Sequence, residues 1–365
     1  MYCQEFTVKS VNKSRYHWIT GAFVFRQTIN RKVDLSRFTD TTRHLTNSGI
    51  PTQGIAFYHQ STLDLLQGLS CSVGLRYDYE HARCDFSKVQ QPLNGNGETK
   101  SLEQFNRSLH FGQFTPRFSM QYLSSHNQLF YASVSKGYKA GGFNVSFLNN
   151  DDYLYSPEYN WNYEIGTKLS FLNNRLSADL SLFYIDWRNQ QITNTIPTVG
   201  NVCRNAGRSR NKGIEASFQA RPTKSWMMYM NYGYTDARFV HYQKEERGIL
   251  KDYEGNYLPM VPRHTFSLTT GYSFYDICSW IDRLTLNAGV SVTGPIYWYE
   301  DNQAKQSPYA LVNLRISINK GCFTWEAWSK NLTNTDYLSY YFVTSKAYAQ
   351  KGKPITLGTS VSISL

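Results

Sequence analysis

No apolar run in this sequence approaches the ~18 residues that a membrane-crossing helix needs, although 41% of the 365 residues are hydrophobic. Mean hydropathy is −0.49, so a helical membrane bundle is excluded. Cysteine contributes little: Cys3, Cys71, Cys84, Cys203, Cys278 and Cys322 include no CxxC pair and no Cys/His metal spacing. Cys71 and Cys84 fall at opposite ends of one expected strand, too far apart to bridge. Free thiols are expected, and neither a zinc nor a redox role. The eight histidines are scattered, and His59, His81 and His110 have no ligand spacing. No nucleophile–base pair, Gly-rich phosphate loop or metal cluster stands out, so no enzyme and no resident cofactor are expected. Lys and Arg outnumber Asp and Glu 38 to 27, a net charge of +11, yet they form no compact basic block. Nucleic acid is therefore not an expected partner. The opening MYCQEFTVKS lacks the basic stretch and apolar core of a secretory signal.

What the chain does have is aromatics and alternation. Phe, Trp and Tyr make up 16% of it, including 28 Tyr, and residues suited to a pleated surface outweigh helix formers. From Leu69, the residues Leu69, Cys71, Val73, Leu75, Tyr77 and Tyr79 oppose Ser70, Ser72, Gly74, Arg76, Asp78 and Glu80. Similar two-residue periods run through 175–184 and 284–293, and Trp226, Met228, Met230, Tyr232 and Tyr234 make one wholly large and apolar face. Short polar turns at 124–127, 172–175, 221–224 and 320–321 alternate with long loops at about 85–108, 141–158, 194–206, 241–261 and 334–352.

About fifteen strands result, most at least as long as the ~9–11 residues that cross a bilayer at a tilt. Short turns on one side and long loops on the other are the layout of an outer-membrane barrel. Trp187, Tyr234, Tyr297, Trp298 and Tyr299 fall where strands meet loops, as an interfacial girdle would require. A soluble β-sandwich is the competing reading. Backbone satisfaction favours the barrel, because in lipid only a closed sheet leaves no N–H or C=O unpaired.

The stretch VSKGYKAGGFN (134–144) ends a strand over 129–138 in a basic, aromatic and Gly-rich rim. With YSPEYNWNYEIGTK (155–168), QGLSCSVGLRYDYE (67–80), NRLSADLSLFYIDWRNQQI (174–192), NKGIEASFQARPTKSWMMYMNYGYTDARF (211–239) and SKNLTNTDYLSYYF (329–342), it resembles the TonB-dependent receptors of the siderophore-receptor type. These segments follow the family's order and cover nearly the whole chain. The resemblance implies an all-β, antiparallel transmembrane barrel of the bacterial outer membrane that takes up a ferric siderophore or similar iron complex. It also implies outer-membrane lipid and the barrel-assembly machinery as partners. The alternating end of the chain, with Val361, Ile363 and Leu365, looks like the strand that this machinery recognises, although the family usually ends in Phe or Trp.

About fifteen strands fall short of the ~22 of large plugged transporters, so residues 1–365 are expected to be the C-terminal portion of a barrel. Signal peptide, TonB box and plug are not visible in the chain. The TonB complex would then be a partner only if the N-terminal region were supplied. A passive outer-membrane porin or an adhesin-like barrel is the alternative.

For the ligand, an iron–siderophore complex, the rim group Lys136, Tyr138, Lys139 and Phe143 is the first candidate site. Cations and aromatics suit a complex that carries negative charge and aryl rings. Alternation puts Lys136 on the outer face, where a lipid-phosphate anchor is an equal reading. Trp298 and Tyr299, followed by Glu300 and Asp301, are a second candidate. Arg76, Asp78, Glu80, Glu164, Lys168 and Arg315, with Arg175, Asp179, Glu215, Arg263 and Asn313, are expected to point inward. There they either pair with one another and water, or meet a plug or a passing anionic ligand.

Overall fold

The computed structural model describes every residue except 12–13, 37–40, 94–96, 197–198, 206, 247–248, 344–345 and 365. Among the described residues the only helical element is a 3₁₀ turn at Asn150–Tyr153. Fifteen long strands form one sheet, each beside its neighbour in sequence. They are β1 (Tyr2–Lys9), β2 (Tyr16–Ser36), β3 (Thr42–Leu66), β4 (Leu69–Pro92), β5 (Lys100–Leu123), β6 (Leu129–Lys139), β7 (Glu158–Phe171) and β8 (Leu176–Arg188). The sheet continues with β9 (Arg208–Ala220), β10 (Trp226–His241), β11 (His264–Cys278), β12 (Ile281–Thr293), β13 (Tyr309–Lys320), β14 (Phe323–Lys330) and β15 (Thr356–Ile363). Among the described residues, five small hairpins occupy the long connections. Each ladder of β1–β4 and of β9–β15 is antiparallel.

The chain divides into two compact units. The first comprises Met1–Met120, Val134–Trp161 and Trp187–Ala206. Its register places Val24 opposite Ile55 and Ile55 opposite Tyr79, so these three share a face. All three are exposed, as are Phe57, Val73, Leu75, Phe114, Phe118 and Met120. A band of apolar side chains open to the surroundings has no place in water, and it is the lipid face of a spanning sheet.

Beyond that band the polarity of both faces reverses. On β4 the odd positions run from Val73 and Leu75 to the exposed Arg83 and Asp85. The even positions run from Arg76 and Asp78 to the buried Ala82, Cys84 and Phe86. On β5, Phe114 and Phe118 share their face with Asn106 and Ser108, while Gln113 and Thr115 share theirs with Phe105, Leu109 and Phe111. The strand keeps its geometry while its solvent changes from lipid to water. Ala82, Cys84 and Phe86 then form a small core with Phe143, packed by Ile50, Phe105 and Leu109. This reversal corrects the expected loop at 85–108. An apolar set that changes parity ends the alternation pattern, but β4 continues to Pro92 and β5 already starts at Lys100.

The second unit comprises Gln121–Ser133, Asn162–Asp186 and Gly207–Leu365. Rows such as Met230–Leu268–Val290–Val312 run across β10 to β13 on one face. The opposite face carries Glu215, Asn231, Thr265, Ser267 and Ser291 around a trough of about 430 Å³. Tight turns sit where the sequence places them. In the β7–β8 turn Leu172, Asn173 and Asn174 all have positive φ (53°, 55° and 65°), the backbone twist that suits a tight hairpin and that Asn tolerates.

Candidate functional site

In the first unit, the segment after β6 and the segment after β8 fold as hairpins, Gly142–Phe143 with Leu154–Tyr155 and Gln191–Ile196 with Gly200–Asn205. The Asn144 amide ties them together. Its Nδ2 donates to the carbonyls of Asp152 and Cys203, each at 2.7 Å, and its Oδ1 accepts from the Cys203 N–H at 2.8 Å. This buried side chain uses its donors and acceptor as a short strand would. Gln191 Nε2 donates to the carbonyls of Ala140 (2.8 Å) and Ser156 (3.2 Å), and Asn205 Nδ2 to those of Ser156 (2.8 Å) and Asn189 (2.7 Å).

Two buried carboxylates complete the tie. Asp152, 6% exposed, accepts from Arg204 Nε at 2.7 Å and Nη2 at 2.8 Å, and from the Leu148 N–H at 3.1 Å. The Arg204 guanidinium holds the Asp152 carboxyl below the usual carboxylate range, against the opposing effect of burial. Glu158, 5% exposed, accepts from the Gln191 N–H at 2.5 Å. Lys139 Nζ lies 3.7 Å from Glu158 Oε1, with the lysine side chain 63% exposed. This places a solvent-facing cation beside a buried carboxylate.

The expected rim group is therefore divided by the structure. Lys139 faces solvent. Lys136 Nζ lies 5.3 Å from the Tyr159 ring centroid, and Tyr138 packs 6.0 Å from the same ring. Phe143 is 8% exposed and belongs to the core with Cys84 and Phe86. That corrects its placement on an open rim, because GGF leads the chain inward onto apolar side chains. Tyr153 stacks on Phe105 at 4.6 Å and contacts Phe147 edge-on at 4.4 Å, and Arg107 lies 5.3 Å over its ring. Among the described residues no group of His, Cys, Asp and Glu could hold a metal ion.

In the second unit the loops are pinned by the same device. Asn302 accepts from the Tyr257 N–H at 2.7 Å and donates to the Tyr257 carbonyl at 2.9 Å. Asn331 donates to the carbonyls of Thr335 (3.1 Å) and Lys353 (3.0 Å). Trp298, 6% exposed, packs against Tyr340 and Tyr341, and the Tyr299 hydroxyl accepts from the Val343 N–H at 2.6 Å. Tyr297 stacks on Tyr257 at 5.4 Å. The expectation that Tyr297, Trp298 and Tyr299 belong to an interfacial girdle is thus corrected: a hairpin at 296–306 carries them into loop packing. Trp298 is accordingly no free ligand platform. Exposed rings include Tyr79 and Tyr272 within β4 and β11, and Trp226, Trp280 and Trp325 at or near strand ends in the second unit.

Of the set expected to point inward, Arg76 and Asp78 are bound to one another at 2.7 Å, and Glu80 lies half-buried near them on β4. Glu164 accepts from the Tyr131 hydroxyl at 2.6 Å. Arg315 Nη1 lies 3.9 Å from Glu326, which also accepts from Ser317 at 2.8 Å, and Lys168 is exposed. At the chain's end, Val361 and Ile363 are 67% and 56% exposed on β15, while Leu365 lies outside the described residues. Asn144, Asp152, Arg204 and Asn205 are legible only in the fold, since their partners lie about fifty residues away. Glu158 does fall within the quoted YSPEYN stretch.

Fold and site together define an antiparallel sheet of outer-membrane type, with an exposed apolar band and ordered, polar, cation-bearing loops. The profile of the family described as TonB dependent receptor-like, beta-barrel matches residues 6–334, and the chain belongs to that family, whose barrels lie in the outer membrane. It is 24% identical over 354 residues to the pesticin receptor of Yersinia pestis, covering 93% of this chain and 48% of that one. It is 26% identical over 241 residues to the probable TonB-dependent siderophore receptor PiuA of Acinetobacter baumannii, covering 61% and 30%. The crystal structure of the ferric yersiniabactin uptake receptor FyuA from Yersinia pestis superposes with a TM-score of 0.84 at 19% identity, over 99% of this chain and 53% of that one. The chain therefore spans about half or less of the length of these relatives.

Proposed function

We propose that this protein acts in the TonB-energised uptake of a ferric siderophore or similar iron complex across the outer membrane. Residues 1–365 would serve as its barrel wall and outer rim. The observation that carries this reading is the family match along nearly all of the chain, joined to a relative named as a probable siderophore receptor and a structural neighbour named as a ferric yersiniabactin uptake receptor. The iron complex is the cargo. Lys139 is the residue proposed to meet it first, because its ammonium lies 3.7 Å from the buried Glu158 carboxylate yet is open to solvent.

The test is uptake of radioactive iron by cells lacking the gene, supplied in turn with hydroxamate, catecholate and phenolate complexes. Loss of energy-dependent uptake of one complex is the expected result. Unchanged uptake of all three, with ion conductance by the purified protein in planar bilayers, would instead favour a passive channel. For the complex so identified, Lys139→Ala is expected to raise its apparent Kd about three- to tenfold, with a smaller salt dependence than the parent protein.

A further inference from the structure

Lys139 ends β6 and Glu158 opens β7, and the two differ in how they are held. The ammonium lies 3.7 Å from Glu158 Oε1, with the lysine side chain 63% exposed and the glutamate side chain 7% exposed. Glu158 also accepts from the Gln191 N–H at 2.5 Å. Gln191 is itself anchored, since its Nε2 donates to the carbonyls of Ala140 and Ser156. Ala140 is the residue after Lys139, and Ser156 lies two before Glu158. The clamp therefore fixes the carboxylate relative to the end of β6, while the lysine stem stays free to turn.

The held member of this pair is the anion. An anionic group that reaches the ammonium, at a contact of about 3 Å, comes within about 7 Å of the Glu158 carboxylate. Even in water, two like charges at that distance oppose each other by about a factor of three in affinity, and at a part-buried rim by more. A lone lysine rewards each further negative charge on a ligand. A lysine backed by a held carboxylate rewards the first and returns little for the rest. Arg204, in the hairpin that Gln191 opens, is balanced in the same way by the buried Asp152 at 2.7 Å.

We propose that Glu158 sets the charge of the cargo: this site takes a ferric complex with no more than one negative charge and discriminates against polyanionic ones. The inference rests on the reading that Lys139 meets the iron complex, and it gives the selecting role to the lysine's buried partner. A purely structural Glu158, one that only hangs the 191–205 hairpin, would affect every complex alike.

The experiment measures Kd by quenching of intrinsic tryptophan fluorescence, on the full chain extracted from outer membranes in mild detergent. The probes are ferric trihydroxamates carrying none, one or three appended carboxylates, so that charge changes while the iron centre does not. Glu158→Gln is compared with the parent, because its amide oxygen still accepts from the Gln191 N–H. Asp64→Asn, near the short turn between β3 and β4, removes the same charge away from the rim. The ratio of parental to Glu158→Gln Kd should be near one for the neutral probe, about three for the singly charged probe and roughly ten or more for the triply charged one. Asp64→Asn should give ratios near one throughout, and Lys139→Gln should invert the trend. Equal ratios for the three probes, or the same gradation in Asp64→Asn, would overturn the inference while leaving uptake itself intact. Failure of every probe to bind either protein overturns it too, and the reading beneath it falls only if cells lacking the gene also take up all complexes unchanged. If Glu158→Gln fails to fold, the parent decides. A triply charged probe bound about fivefold or more weakly than the neutral one supports the proposal, and one bound as tightly overturns it.

Discussion

Asn144 makes three hydrogen bonds from a 5% exposed position, and each partner is a backbone group of the loop after β6 or of the hairpin after β8. Removing that amide leaves two carbonyls and an N–H unpaired, which costs about 1–3 kcal/mol per group fully withdrawn from water. Asn144→Ala is accordingly expected to loosen these loops while the sheet remains, seen as faster hydrogen exchange over 142–155 and 200–205 with little change in β2–β4. Asp152 adds a pH dependence. Its folded pKa lies below the unfolded value of about 3.9, so its contribution to stability is fully present above that value and is lost as pH falls through the folded one. Nicking of the 140–205 region by pepsin should stay slow near pH 5 and accelerate below about pH 4. Asp152→Asn should be cut readily throughout and lack that step. Equal pH profiles for the two proteins would show that Asp152 does not tie the loops.

β4 shows at the scale of one element how far a sequence pattern can be read. Its first half was legible because lipid on one side and polar groups on the other impose strict alternation, as from Leu69 to Glu80. Its second half was not, because water outside the membrane and an apolar core beneath the loop reverse which parity is apolar. Cys84 and Phe86 are as regular as Val73 and Leu75, but only a partner surface shows it, and Phe143 supplies that surface from 57 residues away in sequence. The lipid-facing reading of the first half is directly testable. Leu75→Arg should cost roughly 2–4 kcal/mol, the penalty for a cation near the bilayer midplane, measured by urea titration of the protein folded into lipid vesicles. Arg83→Leu, beyond the band, should change stability by less than about 1 kcal/mol.

For the molecule in its membrane, the same reversal sets a boundary that chemistry can locate from outside the cell. With the exposed Cys3, Cys278 and Cys322 replaced by Ser, a cysteine at Asp85 or Asn106 should react with a membrane-impermeant maleimide on intact cells. One at Val73 or Leu75 should not. Labelling at Leu75 as fast as at Asp85 would contradict a spanning sheet. The sequence by itself determined the spanning class, the strand number and the short turns. Each follows from local rules: two-residue alternation, strand length matched to a tilted bilayer crossing, and turn residues that accept positive φ. Only the tertiary structure decided that Phe143 and Trp298 are buried, and that Asn144 and Asp152 bind the loops of the first unit. Those features depend on which residues oppose one another across strands and loops many positions apart. Register and packing fix such pairings, and no local period records them.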